Sequence, residues 1–175
     1  IGHMSEKAQQ DIYGTGPDQA VAAVIGPRGK AIRKADGSYV LSGFWPFASV
    51  NAAANWLLLG AEVFDEAGDK LDEGDLAVPK SDIESVDDWH VAGLQGTGSN
   101  SVKCTDVKVP AHRYVSLPAL LENQTATFTA SDAATVHKCQ AGPALGMFIS
   151  TSAIGSAKRT LHEFLKVVPG KKVMY

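Results

Sequence analysis

Cysteine is scarce in this chain: Cys104 and Cys139 are the only two in 175 residues, and they do not form a CxxC pair. Two thiols so placed give neither a disulfide framework nor zinc-site spacing, and both read as buried or idle groups. Long apolar runs are missing as well. No stretch reaches the roughly 18 residues of a membrane-spanning helix, and no signal peptide is recognisable, so the expectation is a cytoplasmic protein with no membrane partner. Positive charge is not in excess. Sixteen Lys and Arg stand against 19 Asp and Glu, giving a net charge of -3 and a pI near 5.9. The basic residues are scattered, which disfavours nucleic acid as a partner. Also absent are GxGxxG opening a helix, GxxxxGK[ST], HExxH and GxSxG, and the five histidines lie far apart. Metal and phosphate-loop enzymes are thereby disfavoured, and no metal is expected.

What is present is a chain with 45% apolar residues, enough for a packed core. Ser5 to Ile12 reads as the end of a helix capped by Ser5 and stopped by Gly14-Thr15-Gly16-Pro17. Strands follow. Gln19 to Ile25 is small and β-branched, and Lys30–Lys34 and Ser38–Phe44 flank Ala35-Asp36-Gly37, where Asp-Gly suits a tight hairpin. Trp56 to Phe64 is an apolar strand whose returning partner is Asp75 to Pro79, across the acidic turn Asp65–Asp69. Ile83 to Val91 and Ser101 to Val109 add two more, the second with a shift near Thr105-Asp106 that suits a bulge. Asn123 to Ala134 has no firm period. After it, Leu145, Phe148, Ile149, Ser152, Ala157, Leu161, Phe164 and Val168 follow helical spacing, predicting a helix of about 25 residues that Pro143 opens and Pro169-Gly170 ends. That length points to a helix bundle.

Gly2-His3-Met4 matches residues left by a cloning site and equally suits native sequence entering a helix. The stop at Lys172-Val173-Met174-Tyr175, straight after a helix, is the pattern of a fragment.

Two stretches carry groups that suit a ligand. Gly43-Phe44-Trp45-Pro46-Phe47-Ala48-Ser49 places the aromatics Trp45 and Phe47 and a hydroxyl at the end of a hairpin strand. Such rings can wall a planar ligand, and the Ser49 hydroxyl or a neighbouring backbone N–H can bond its edge. Composition alone favours the core for Trp45 and Phe47. Trp89 to Asn100 holds three glycines with Thr97 and Ser99, and so little bulk lets backbone N–H groups approach a ligand. It is also an ordinary composition for an interstrand loop.

The segment WHVAGLQGTGSNSVKCTDVKVPAHR, Trp89 to Arg113, resembles the part of the acyl-CoA dehydrogenase superfamily in which a Gly-Leu/Met-x-Gly-[ST] loop leads into a strand ending in Val-Pro. DGSYVLSGFWPFASV resembles that superfamily's middle-domain hairpin, and Trp-Pro-Phe-Ala-Ser with Gly-Thr-Gly-Ser-Asn is most similar to the oxygenase components of two-component, reduced-flavin-dependent aromatic monooxygenases. The resemblance covers roughly Ser5 to Val168. It departs at Val50-Asn51, where those oxygenases more often carry Gly after the Ser.

The resemblance implies a mainly β chain with α: the antiparallel, barrel-like middle domain of the acyl-CoA dehydrogenase fold, then the start of a C-terminal helix bundle. Residues 1–14 would end an N-terminal helical region, 15–121 form the flavin-binding β domain, and 122–175 begin the helical domain. The implied activity is hydroxylation of a small aromatic or heteroaromatic substrate, indole-like rings first, through a C4a-hydroperoxyflavin. Its partners would be reduced FMN or FAD, O2, a separate flavin reductase and further copies of the chain in a tetramer. Ser49 would stand near flavin N5, with Trp45 and Phe47 shaping the ring's wall, Thr97 and Ser99 lining the other side, and Ala48, Gly96 and Gly98 also binding the cofactor. Arg159 would meet a flavin phosphate, and Trp89 and His3 the substrate. The alternatives are an acyl-CoA dehydrogenase with bound FAD, for which no carboxylate base can be placed, and an inactive β-domain fragment.

Overall fold

The computed structural model describes residues 1–131 and 133–170, so Lys172 to Tyr175 lie outside them. The chain divides into two compact units, Ile1–Lys138 and a second that begins at Cys139.

In the first unit, helix α1 (Glu6–Tyr13) starts where Ser5 predicts it, the Ser5 hydroxyl accepting the Ala8 N–H at 3.2 Å. Ala8 and Ile12, four residues apart on one helical face, are buried with Met4, Ala77 and Val115. Asp11, on another face, accepts from Arg113 Nε at 2.6 Å and from His112 Nε2 at 2.7 Å, tying the helix to the turn after the sixth strand.

Seven strands follow: β1 (Val21–Arg33), β2 (Tyr39–Trp45), β3 (Trp56–Phe64), β4 (Lys70–Pro79), β5 (Glu84–Val86), β6 (Ser101–Val109) and β7 (Tyr114–Ser116). They form one sheet in the order β5-β6-β2-β1-β3-β4-β7. Every pair is antiparallel except β1–β3, which is parallel. The exception arises because the chain leaves β2 through residues 46–55 and enters β3 on the far side of β1. That connection carries Phe47 and Ser49.

The sheet is curled. Flat, four strand spacings would separate β2 from β7 by about 19 Å, yet the Tyr39 and Tyr114 rings lie 4.9 Å apart. Inside the curl sit Leu41, Trp45, Leu57, Leu59, Val63, Leu76, Val78, Val102 and Val109, all buried. The outer face of β3 and β4 takes the smaller cluster under α1.

Several expectations shift in extent. The hairpin at Asp36-Gly37 forms, with Gly37 at φ +81° and Asp36 Oδ1 accepting the Ser38 N–H at 2.9 Å. Its first strand is one 13-residue run that absorbs Val21–Ile25 of the expected Gln19–Ile25 segment through a register shift between Val24 and Gly29. β4 begins at Lys70, because backbone pairing with β3 continues through polar residues. β5 ends at Val86: the Asp88 carboxylate accepts the Ser101 N–H at 2.8 Å and the Asn100 side chain accepts the Trp89 N–H at 2.9 Å, so side chains replace the ladder. In β6 the bulge lies where predicted, Thr105 and Asp106 opposing Ser42, with Asp106 at φ +53°.

Helices α2 (Leu117–Leu121) and α3 (Ala126–Thr129) follow β7. In the second unit α4 (Ala141–Val167) runs for 27 residues, close to the predicted length, with Pro143 in its first turn and Pro169-Gly170 in the 3-10 turn after it. No side chain of α4 is buried. Among the described residues no helix is long and apolar enough to cross a membrane.

Candidate functional site

Residues 46–55 and 87–100 connect strands at the β2–β6 end of the sheet, and their hydrogen bonds knit them together. The Val50 N–H donates to Thr97 O at 2.8 Å. Asn51 is the hub. Its buried amide nitrogen donates to Ala48 O (2.7 Å) and Asn100 O (3.0 Å), with Gly98 O at 3.3 Å, while its oxygen accepts from Lys80 Nζ (3.1 Å) and Ser85 Oγ (2.9 Å). One side chain thus bonds the Asn100 and Gly98 carbonyls of one irregular loop and adds to the backbone N–H of Asn51 at the Ala48 carbonyl of the other.

On this frame three hydroxyls line up. Ser49 Oγ lies 2.7 Å from Ser99 Oγ, which lies 2.6 Å from Thr97 Oγ1, and Thr97 donates to Leu94 O at 2.9 Å. Ser49 is exposed, Thr97 half-buried and Ser99 buried. The expectation that Thr97 and Ser99 face Ser49 from the other side of a ligand is corrected, since all three belong to one cluster on one side.

Beside the hydroxyls, Phe47 and Trp89 meet edge to face with centroids 6.0 Å apart. Phe47 is 65% exposed. Trp89 is half-buried, its indole N–H donating to Leu94 O at 3.2 Å. Phe47 (φ +61°), Val50 (+66°) and Leu94 (+58°) all hold left-handed backbone, a costly state for side chains of this size. For β-branched Val50 the conformation explains why Gly suits the position.

Trp45 and Ala48 stand behind this surface. Trp45 is wholly buried, its indole N–H donating to Gly60 O at 2.7 Å and its ring filling the space left by the paired glycines Gly29 and Gly43, where a Cβ would collide with it. Ala48 is also wholly buried, with its carbonyl taken by Asn51. Expected at the flavin wall and among the cofactor-binding residues respectively, Trp45 and Ala48 offer no exposed surface and support the strand end from within. Gly96 and Gly98 are different, since a Cβ on either would meet nothing within 4 Å. Only Gly98 has positive φ, +51°, so packing within the chain gives no reason for the bare loop at Gly96.

His3 lies elsewhere, in a groove of about 530 Å³ also lined by Gln9, Ala126, Ala130 and His137, with its Nδ1 2.9 Å from Thr125 Oγ1. Burial and the nearby amino terminus lower its pKa. Arg159, within α4, pairs with Glu163 at 2.9 Å. Cys104 is buried, which raises its thiol pKa to about 11 and leaves it inert. No group of three or more His, Cys, Asp or Glu side chains among the described residues could hold a metal ion.

Sequence reasoning missed the hub. Asn51 entered it only as a departure from pattern and Asn100 only as the last residue of Gly-Thr-Gly-Ser-Asn, while Asp88 and Lys80 did not enter at all. Their available signal was the polar, turn-forming residues directly flanking both recognised motifs.

A curled sheet entered from a short helix and followed by a long one, with an aromatic and hydroxyl surface at one end, defines the β domain of an acyl-CoA-dehydrogenase-like fold. The structure of XiaF from Streptomyces sp., in complex with FADH2 and glycerol, superposes over 98% of this chain and 42% of that one, with a TM-score of 0.86 at 23% identity. No protein-family model matches. The oxygenase subunit HsaA of a flavin-dependent monooxygenase from Mycobacterium tuberculosis is 34% identical over 152 residues, 87% of this chain and 38% of the relative. A crystal structure of that HsaA matches 81% of this chain and 36% of its own, with a TM-score of 0.74 and 32% identity. The oxygenase component of an FADH2-dependent resorcinol hydroxylase from Rhizobium sp. is 32% identical over 168 residues, 95% of this chain and 40% of the relative. The chain is a homologue of the oxygenase components of two-component flavin-dependent monooxygenases. It spans about two-fifths of the length of these relatives.

Proposed function

We propose that this chain supplies the flavin-holding β domain, and the start of the helix bundle, of an oxygenase component that places one atom of O2 on a small aromatic or heteroaromatic substrate, indole-like rings included. The observation that carries the reading is the joining of exposed Phe47, half-buried Trp89, the Ser49 hydroxyl and the bare Gly96–Gly98 backbone on one surface. This set fits an isoalloxazine, which is flat and apolar on its faces and polar at its edge.

Bound reduced flavin supplies electrons and activates O2. The residues bind and orient it. Phe47 and Trp89 take a ring face and exclude water, the Ser49 hydroxyl meets the N5 edge, and Gly96 and Gly98 let the backbone approach. In this reading Arg159 reaches a flavin phosphate within a homotetramer, His3 supplies a polar group on the substrate side, and a separate reductase delivers the flavin. The dependence of the resorcinol hydroxylase on FADH2 favours reduced FAD over FMN.

The test gives the intact protein enzymatically reduced FAD or FMN under ¹⁸O2 with a phenol or indole. One ¹⁸O atom in the product is expected. Failure to bind reduced flavin and to form any hydroxylated product would overturn the reading.

A further inference from the structure

The 87–100 connection has two arms that are held differently. Its second arm is bonded to the 46–55 connection through the carbonyls of Thr97, Gly98 and Asn100. Its first arm carries Trp89 and, among the described residues, makes no hydrogen bond to that connection. Beyond the last β5–β6 pair, Val86 with Ser101, two side chains close the neck between the arms. Asp88 Oδ1 accepts the Ser101 N–H at 2.8 Å, while Asn100 Oδ1 accepts the Asp88 N–H at 3.2 Å and the Trp89 N–H at 2.9 Å. The Ser101 hydroxyl and N–H hold the Asp88 carboxyl below its usual range, so it stays an acceptor. Past the neck the tip is open: Leu94 is 77% exposed, and a Cβ on Gly93 or Gly96 would meet nothing within 4 Å. The Trp89 indole N–H bonds to Leu94 O, within that same tip.

We infer that Asn100 and Asp88 are positioning residues that set Trp89 against Phe47. Asn100 faces both ways: its carbonyl takes the Asn51 amide from the connection that carries Phe47, and its side chain takes the backbone of Trp89. The edge-to-face pair, with centroids 6.0 Å apart, is thus aligned through one residue. The inference rests on the flavin reading above, in which both rings cover the flavin and keep water out. In that reading reduced flavin, O2 and substrate give oxidised flavin, hydroxylated product and water. Without transfer to substrate, reduced flavin and O2 give oxidised flavin and hydrogen peroxide. A Trp89 freed from the neck uncovers the ring, weakens flavin binding and diverts oxygen from product to peroxide.

Intact protein labelled with fluorotryptophan tests this before any flavin is added, since Trp45, Trp56 and Trp89 each give a ¹⁹F signal, assigned by replacing each in turn with Phe. Asn100→Ala is expected to shift and broaden the Trp89 signal and leave those of Trp45 and Trp56 in place. Asp88→Ala should do the same, which serves if the first variant does not fold, and Asp88→Asn, which keeps an acceptor oxygen, should restore the wild-type signal. With reduced FAD added anaerobically, each alanine variant should bind about fivefold more weakly, the loss of one or two hydrogen bonds. On admitting O2 and substrate, both should release a larger share of their oxygen as peroxide than wild type. A Trp89 signal unchanged in both alanine variants, with Trp89→Phe still weakening reduced FAD, would overturn the positioning role and leave the flavin reading standing. Movement of all three signals, or a displaced Trp89 signal with wild-type affinity and peroxide yield, would overturn it as well. No binding of reduced flavin by wild type would overturn both.

Discussion

Trp45 and Phe47 are two residues apart at the end of β2, yet the first is 0% exposed and the second 65%. Trp45 finishes the interior. Its indole N–H is bonded, its ring is seated on two glycines, and its backbone lies in a regular strand. Phe47 has left-handed backbone and meets Trp89 mainly by a ring edge. The difference separates two kinds of aromatic residue: one whose contacts explain it from within the chain, and one whose strained, exposed placement needs something outside it.

Substitutions that break this contrast rank from the interior outward. Trp45→Ala should cost about 3–5 kcal/mol, from lost burial, a cavity and an unpaired Gly60 carbonyl. Urea unfolding measures it. Asn51→Ala should cost about 2–3 kcal/mol, because it removes the buried amide that bonds the Asn100 and Gly98 carbonyls and joins the two loops. It should also weaken flavin binding by loosening Ser49, so it is expected to fail in both respects where Trp45→Phe fails mainly in stability.

Asp75 tests the interior through pH. It is buried in β4 with Oδ1 lacking a partner, and burial pushes its carboxyl up to about 7, against a smaller lowering by the amino terminus. The folded state therefore holds a proton that the unfolded state loses near pH 4. Stability should be highest below about pH 4, decline by roughly 2–4 kcal/mol toward pH 7 and then level off. Asp75→Asn should flatten that decline in thermal melts taken from pH 4 to 8. An unchanged slope would mean that the carboxyl is solvated.

At the loop the effects are smaller. Val50→Gly should relieve the left-handed strain at φ +66°, offset in part by glycine's greater freedom when unfolded, for a net gain of about 1 kcal/mol or less. A small rise in Tm with flavin affinity kept would show that Val50 is tolerated rather than required.

The interior was largely legible in the sequence. The Asp36-Gly37 turn, the full extent of β3 and β6, the Thr105-Asp106 bulge and the long helix follow from turn chemistry, alternation and helical period, which are local signals. The parallel β1–β3 pair was not, because it depends on which edge of β1 the chain reaches after residues 46–55. In the loops, motif likeness located Ser49, Thr97 and Ser99, while their assembly into one cluster depends on contacts about 50 residues apart in sequence. Composition treated Trp45 and Phe47 alike, since nothing in their identity encodes that the backbone turns left-handed between them.

The central claim is that the Phe47–Ser49 surface serves a flavin and not the fold. Phe47→Ala in the intact protein tests it most directly, with Tm and the dissociation constant for reduced FAD measured on the same preparation. An exposed ring with few internal contacts should leave stability within about 0.5 kcal/mol, so Tm should hold while reduced FAD binds at least tenfold more weakly. A fallen Tm with unchanged affinity would contradict it.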